Sequence, residues 1–318
     1  MCSLFGYTRQ GYWKQRQDHY REAIDATALV NEVRVIREEM HRCGVRKLQV
    51  ILESHGHSIG RDRLFALLRS AGMLVPRKHH RIITTYSRHW MKKYSNLIED
   101  LAIIRPNQVW VSDITYVELF EKGRRIFMYL SLITDAYTHE IVGHALHDSL
   151  DTTGPLRALK KALASYGGTG VKGLIHHSDR GCQYCSQEYV NVLRQRGILI
   201  SMTENGDPYE NAIAERVNGI LKTEWLYQTR LTSKEMAINY VDRIIRTYNG
   251  TRPHLSIGML TPEQARNHSG ALEKQWKNYW ALAHPRQQPA GEERLRDLPA
   301  AGPVVAADLR GRAAAVPI

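Results

Sequence analysis

The chain has 318 residues, 43% of them hydrophobic and 24% charged, which gives the composition of a globular protein with ample material for a buried core. No stretch is long and apolar enough to span a bilayer, the N-terminal segment lacks the pattern of a secretory signal, and four cysteines do not make a disulfide framework; a cytoplasmic location with no membrane partner is expected. The formal charge of +12 is uneven, with 19 Lys and Arg against 10 Asp and Glu in residues 1–106 and 25 against 22 afterwards. A basic front end on a nearly neutral body favours polyanions, with nucleic acid the first candidate and an anionic membrane surface the second.

Residues 1–28 read as an N-terminal arm and 29–76 as a small helical unit. Leu29, Val33, Ile36 and Met40 share one stripe of a helix that Gly44 can close. "RKLQVILESHGHSIG" predicts a second helix with Leu48, Ile51 and Leu52 inside. "RDRLFALLRSAGM" predicts a third on Leu64, Leu67 and Leu68. Three short helices with glycine-bearing junctions suit a helix-turn-helix module, and equally a plain three-helix bundle. Residues 77–102 form a basic linker in which Tyr86, Trp90 and Tyr94 alternate with cations, as in a segment that lies along a phosphate backbone or in a solvated connector. His79 and His80 lack a matching ligand set.

At Gln108 the period becomes extended. "QVWVSDITYVELF" and "RRIFMYLSLITDAYT" are strands joined by the turn "EKG", and "EIVGHAL" is a third. A helix over about 153–166, a strand in "VKGLIHHSD", a helix over 187–196, the strand "ILISMT" and a helix from Asp207 follow. In that last helix Asp207 is the expected cap and Pro208 and Glu210 suit its first turn. Ile213, Val217, Ile220 and Leu221 are its apolar stripe, and Asn211, Glu215, Asn218 and Lys222 form a separate polar column. A helix over 232–248, capped by Thr232 with Glu235, completes an α/β unit, a meander followed by right-handed crossovers. The core spans 103–268. Residues 269–318 are a tail, rich in Ala, Pro, Gly and Arg beyond about 285 and expected to be disordered there.

Three carboxylates stand in unusual places. Asp113 lies inside an apolar strand, Asp179 ends another at the edge where α/β sheets bind ligands, and Glu215 sits on the polar column. Buried carboxylates that cluster repel one another. One or two Mg²⁺ or Mn²⁺ ions would relieve both penalties and, as a pair, would serve an in-line phosphoryl transfer. Cys182 and Cys185 form a single C-x-x-C near His176 and His177, too few ligands to specify a zinc site by themselves.

The spacing completes a pattern. Asp113, 65 intervening residues, Asp179, 35 intervening residues and Glu215 occur with "W-x-x-D-I-T-Y" at 110–116, "H-S-D-R-G-x-Q-Y" at 177–184, "N-G-x-x-Y-x-N-A-x-x-E" at 205–215 and "YNGTRPHLSIGMLTP" at 248–262. Over roughly residues 4–265 the chain resembles the second-frame transposases of the insertion-sequence-3 family, with their retroviral-integrase-like catalytic core. The resemblance implies a ribonuclease H-like mixed five-stranded sheet with flanking helices, preceded by a helix-turn-helix-like domain. It implies Asp113, Asp179 and Glu215 as catalytic residues holding Mg²⁺ or Mn²⁺, two ions being expected. It further implies cleavage at element ends to free a 3′-hydroxyl, then strand transfer, with DNA terminal repeats and target DNA as partners. Asn211, Asn218 and Lys222 would line the DNA groove, and Arg252 and His254 would support either the site or DNA, with a purely structural role an equal alternative. A homo-oligomer on DNA, association with the nucleoid, and fusion to or partnership with an upstream-frame product are further expectations. A metal-dependent nuclease without strand transfer and a non-catalytic DNA-binding derivative remain the alternatives.

Overall fold

The hairpin that opens the sheet turns on Lys122 and Gly123, both at positive φ (49° and 75°), the conformation of a two-residue type I′ turn. It joins β1 (Val109–Glu121) to β2 (Arg124–Asp135) in an antiparallel ladder running from Trp110 opposite Asp135 to Glu121 opposite Arg124. The computed structural model describes residues 8–76, 91–166, 171, 173–204 and 211–272. The expected cap and first turn at 207–210, His79 and His80, Tyr86, Trp90 and the tail beyond 272 lie outside them.

β3 (Ile141–His147) pairs antiparallel with β2, while β4 (Ile175–Ser178) and β5 (Leu199–Met202) add on the other side of β1 in parallel. The order β3-β2-β1-β4-β5 is the mixed five-stranded, ribonuclease H-like sheet that the resemblance implied. The parallel strands are linked by helices, as crossovers require. α4 (Thr153–Ser165) leads to β4, and α5 (Cys182–Cys185) and α6 (Gln187–Gln195) lead to β5. α4 and α6 cover one face with a core around Trp110, Leu159, Tyr184 and Tyr189. β3 approaches α4 so closely at Gly143 that a Cβ there would meet the Ala158 carbonyl and lie 2.8 Å from the Ala162 Cβ. α7 (Ala212–Glu224), α8 (Lys234–Gly250) and the short α9 (Pro262–Ala265) complete the described core.

The front end consists of α1 (Arg9–Glu39), α2 (Val45–Ser54) and α3 (Arg61–Ser70). From Arg9 onward the predicted arm is the beginning of α1, capped by the Thr8 hydroxyl, which accepts from the Gly11 N–H at 3.0 Å. α1 ends at Glu39, so Gly44 does not close it and instead stands at the N-cap of α2. Val33, Ile36, Leu48, Leu52, Leu64 and Leu68 are buried as the periodicity required. They share one continuous core with Val217, Leu221 and Trp225 of the α7 region and Val241 and Ile244 of α8. The front end is thus packed onto the sheet unit, and the Trp225 indole N–H donates to the Glu39 carbonyl at 2.6 Å.

Two local readings are corrected. α8 is capped by Ser233, whose hydroxyl accepts from the Met236 N–H, and Thr232 donates to the Met236 sulfur instead. The part of the linker that is described is docked on the sheet edge: the Leu97 N–H donates to the Ser201 hydroxyl and the Asn96 N–H to Glu204. No described helix is long and apolar enough to cross a membrane.

Candidate active site

Sheet register brings the first two carboxylates side by side. In the parallel pair, Ser112 of β1 lies opposite Ser178 of β4, so Asp113 and Asp179 each stand one residue beyond that pair. β4 stops there, at the carboxyl end of a parallel strand, where open α/β sheets leave room for ligands. The Asp179 carboxylate accepts from the Gly181 N–H at 3.0 Å, which folds the following turn back on it.

α7 supplies the third. Two amides staple this helix to β1: Asn211 donates to the Ser112 carbonyl at 3.2 Å and Asn218 to the Asp113 carboxylate at 2.6 Å. Seven residues are almost two full turns, about 10 Å along the axis, so both amides and Glu215 between them lie on one side of the helix. The polar column is therefore not a solvated face. Asn211 and Asn218 are buried (7% and 5% exposed) and Lys222 is half-buried, while Glu215 reaches solvent.

The electrostatics link the acids unequally. Burial pushes the Asp113 carboxyl up, Asp179 adds to the push, the Ile114 N–H and the Asn218 amide oppose it, and Glu215 raises it further, to about 7. Burial also raises Glu215. It lowers Lys222, whose ammonium is drawn back toward its charged form by Asp113. Among the described residues no group of three His, Cys, Asp or Glu side chains closes into a metal cage. Of the other two acids, Asp179 is the stronger and Glu215 the weaker electrostatic neighbour of Asp113.

The donor set suits a hard cation. It includes the Asp113 and Glu215 carboxyls, both raised by burial, the Asp179 carboxylate, and the buried amide oxygens of Asn211 and Asn218, which have no hydrogen-bond partner among the described residues. Mg²⁺ in particular is bound through one or two carboxylates and completes its octahedron with water and phosphate oxygens.

Arg252 and His254 do not belong to this face. They are 2% and 3% exposed, and Arg252 holds Glu224 in a two-pronged pair, Nε to Oε2 and Nη2 to Oε1, both 2.8 Å. Its Nη1 also lies 3.0 Å from His254 Nε2. The closing motif is internal framework, and a DNA contact from either side chain is ruled out by burial in this conformation. Asn249 of the same motif brackets Ile141 at the start of β3, its amide bonding both the backbone N–H and the carbonyl at 3.0 Å. Glu224 escaped the sequence reading, yet a signal existed: it falls seven residues after Val217 and three after Leu221, on the apolar stripe itself.

Cys182 and Cys185 do not assemble with the histidines. Cys182 is exposed and Cys185 buried, the latter 3.7 Å from the Met202 sulfur. His176 is paired with the Tyr189 hydroxyl and His177 with that of Ser201.

An integrase core domain family model matches residues 104–208, and a second integrase core domain model matches residues 196–262. The chain is 36% identical over 267 residues to the insertion element IS600 uncharacterized 31 kDa protein of Shigella sonnei, covering 82% of this chain and 96% of that protein. It is 32% identical over 279 residues to the transposase for insertion sequence element IS629 of Shigella sonnei, covering 83% and 90%. To the transposase InsF for insertion sequence IS3A of Escherichia coli K12 it is 28% identical over 280 residues, covering 84% and 93%.

Proposed function

Because the chain belongs to the insertion-sequence-3 family of transposases, built on an integrase core, we propose that it moves its element by metal-dependent cleavage of the element's DNA ends and transfer of the freed strands, using Asp113, Asp179 and Glu215. The observation that carries this reading is the sheet register that sets Asp113 and Asp179 one residue beyond the Ser112–Ser178 pair, with the Asn218 bond tying the helix of Glu215 to Asp113.

Asp113, Asp179 and Glu215 would hold Mg²⁺ or Mn²⁺, two ions in the full assembly, with the amide oxygens of Asn211 and Asn218 beside them. When bound, such ions supply positive charge for both the attacking and the leaving oxygen of a phosphodiester. The residues of the chain do the rest. Asn218 donates to Asp113 and so favours its ionised, ligating form. Lys222, drawn toward its charged form by Asp113, meets a phosphate oxygen as a point charge. Water attacks the phosphorus at an element end, the bond to the 3′-oxygen breaks, and that oxygen leaves as a 3′-hydroxyl. In the second step the 3′-hydroxyl attacks a target phosphodiester and displaces another 3′-oxygen. The basic front end, packed on the same core, would hold the duplex through its phosphates. Assembly as a homo-oligomer on DNA, and fusion to or partnership with an upstream-frame product, belong to the same proposal.

The test is an end-joining assay with duplexes carrying the element's own flanking DNA, 3′-hydroxyl ends and Mg²⁺. Joined products that disappear on chelation are expected. Nicked DNA without joining would make this a nuclease, and binding without either would make it a DNA-binding derivative.

A further inference from the structure

At the far end of α7 from Glu215, the Glu224 carboxylate lies between two cations from distant parts of the chain. Lys47 of α2 reaches it from the front end, Nζ to Oε1 at 3.0 Å, and Arg252 grips it from the closing motif at 2.8 Å twice. The three side chains are 12%, 10% and 3% exposed for Lys47, Glu224 and Arg252. Tyr248 lies under the guanidinium, 5.8 Å from its ring centre, and the next residue, Trp225, is bonded to the Glu39 carbonyl. Arg252 alone satisfies both oxygens of Glu224, so Lys47 is not required to neutralise it. What Lys47 adds is a link to α2.

We infer that Lys47, acting through Glu224, is a positioning residue that locks the front-end helices to α7, so that a DNA end held by α1–α3 is presented to Glu215 and Asp113 in one geometry. This role presupposes the end-joining activity proposed above. α7 is 13 residues long, about 20 Å of rigid rod, with Asn218 and Glu215 on its first turns and the lock at its last. A small rotation at the locked end moves Glu215 against Asp113, and misplacement by about 1 Å at a reacting centre lowers rates by roughly 10²-fold.

The test compares joining by the wild-type chain, Lys47→Met and Lys47→Arg as a function of end-duplex concentration with Mg²⁺, alongside thermal melts. Lys47→Met replaces a buried cation by an apolar chain of similar length and leaves Glu224 paired on both oxygens with Arg252, so that no buried charge is left without a partner. The maximal joining rate is expected to fall about 10-fold or more, with half-saturation by end DNA within about 2-fold and melting unchanged. Lys47→Arg should restore the rate. An unchanged rate, or a rise in half-saturation that accounts for the loss, would overturn the inference, the second outcome making Lys47 a DNA contact. Should Lys47→Met melt early, Lys47→Leu, which likewise removes the donor to Glu224, carries the same comparison; loss of rate only in proportion to loss of fold also overturns it. A wild-type chain that joins nothing would instead sink the proposed function.

Discussion

The Asn218 amide donates to the Asp113 carboxylate at 2.6 Å, across 105 residues of chain, and this bond ties the helix that carries Glu215 to the strand that carries Asp113. It gives the carboxyl a donor that a solvated aspartate would find in water. Even so, burial and two neighbouring acids hold Asp113 at about 7.

A pH dependence follows. The folded-state value of Asp113 lies above its unfolded value of 3.8, so between those limits the folded protein holds more protons than the unfolded one. Its contribution to stability is present below the unfolded value and is lost as pH rises through about 7, on the order of a few kcal/mol for this one group. Mg²⁺ binds the ionised form, so its stabilising effect on thermal melting should be larger at about pH 8 than at about pH 5. Asp113→Asn should remove that difference. An equal Mg²⁺ effect in wild type and variant would count against Asp113 as a ligand.

Glu215→Gln preserves shape and removes the charge. Joining should fall by about 10³-fold or more, the several kcal/mol that metal-held charge contributes to a transition state. Binding of end DNA, measured by gel shift, should hold or rise slightly, because removing an exposed carboxylate takes away repulsion of phosphate and no attractive contact. Joining at the wild-type rate would remove Glu215 from the mechanism.

Glu224→Gln should be the most destabilising of these carboxylate changes. Burial raises the Glu224 carboxyl, but Arg252 and then Lys47 outweigh it and hold it at about 2. Removing the charge leaves two buried cations facing each other, a loss of about 3–5 kcal/mol. Urea unfolding measures it, and a shift under about 1 kcal/mol would mean the cations find other partners.

Gly143→Ala tests the contact between β3 and α4. The added methyl has no room against the Ala158 carbonyl and Ala162, and α4 must move outward, at roughly 1–3 kcal/mol. A melting temperature equal to wild type would show that α4 shifts freely.

Much of this molecule is local in origin. Alternating β-branched and aromatic residues set β1 to β3, helical periodicity set α2, α3, α4 and α6, and glycines at positive φ marked the turns, because these depend on neighbours a few residues away. Asp113 and Asp179 were visible for the same reason: a carboxylate within an apolar strand or at a strand's end contradicts its surroundings; Glu215 showed only as part of a polar helix column and through the 35-residue gap of the family pattern. Which side of α7 faces inward was not visible. Asn211 and Asn218 look like surface amides until β1 is placed beside them, where they meet a strand carbonyl and Asp113. For Arg252 and His254, basic residues in a motif near the end of the core, the sequence left site support, DNA contact and a structural role equally open until Glu224 arrives from α7 to bury one of them in a pair. Such assignments depend on contacts between segments tens to hundreds of residues apart. There the cost of burying a charge or an amide is offset by a partner that only the folded chain supplies.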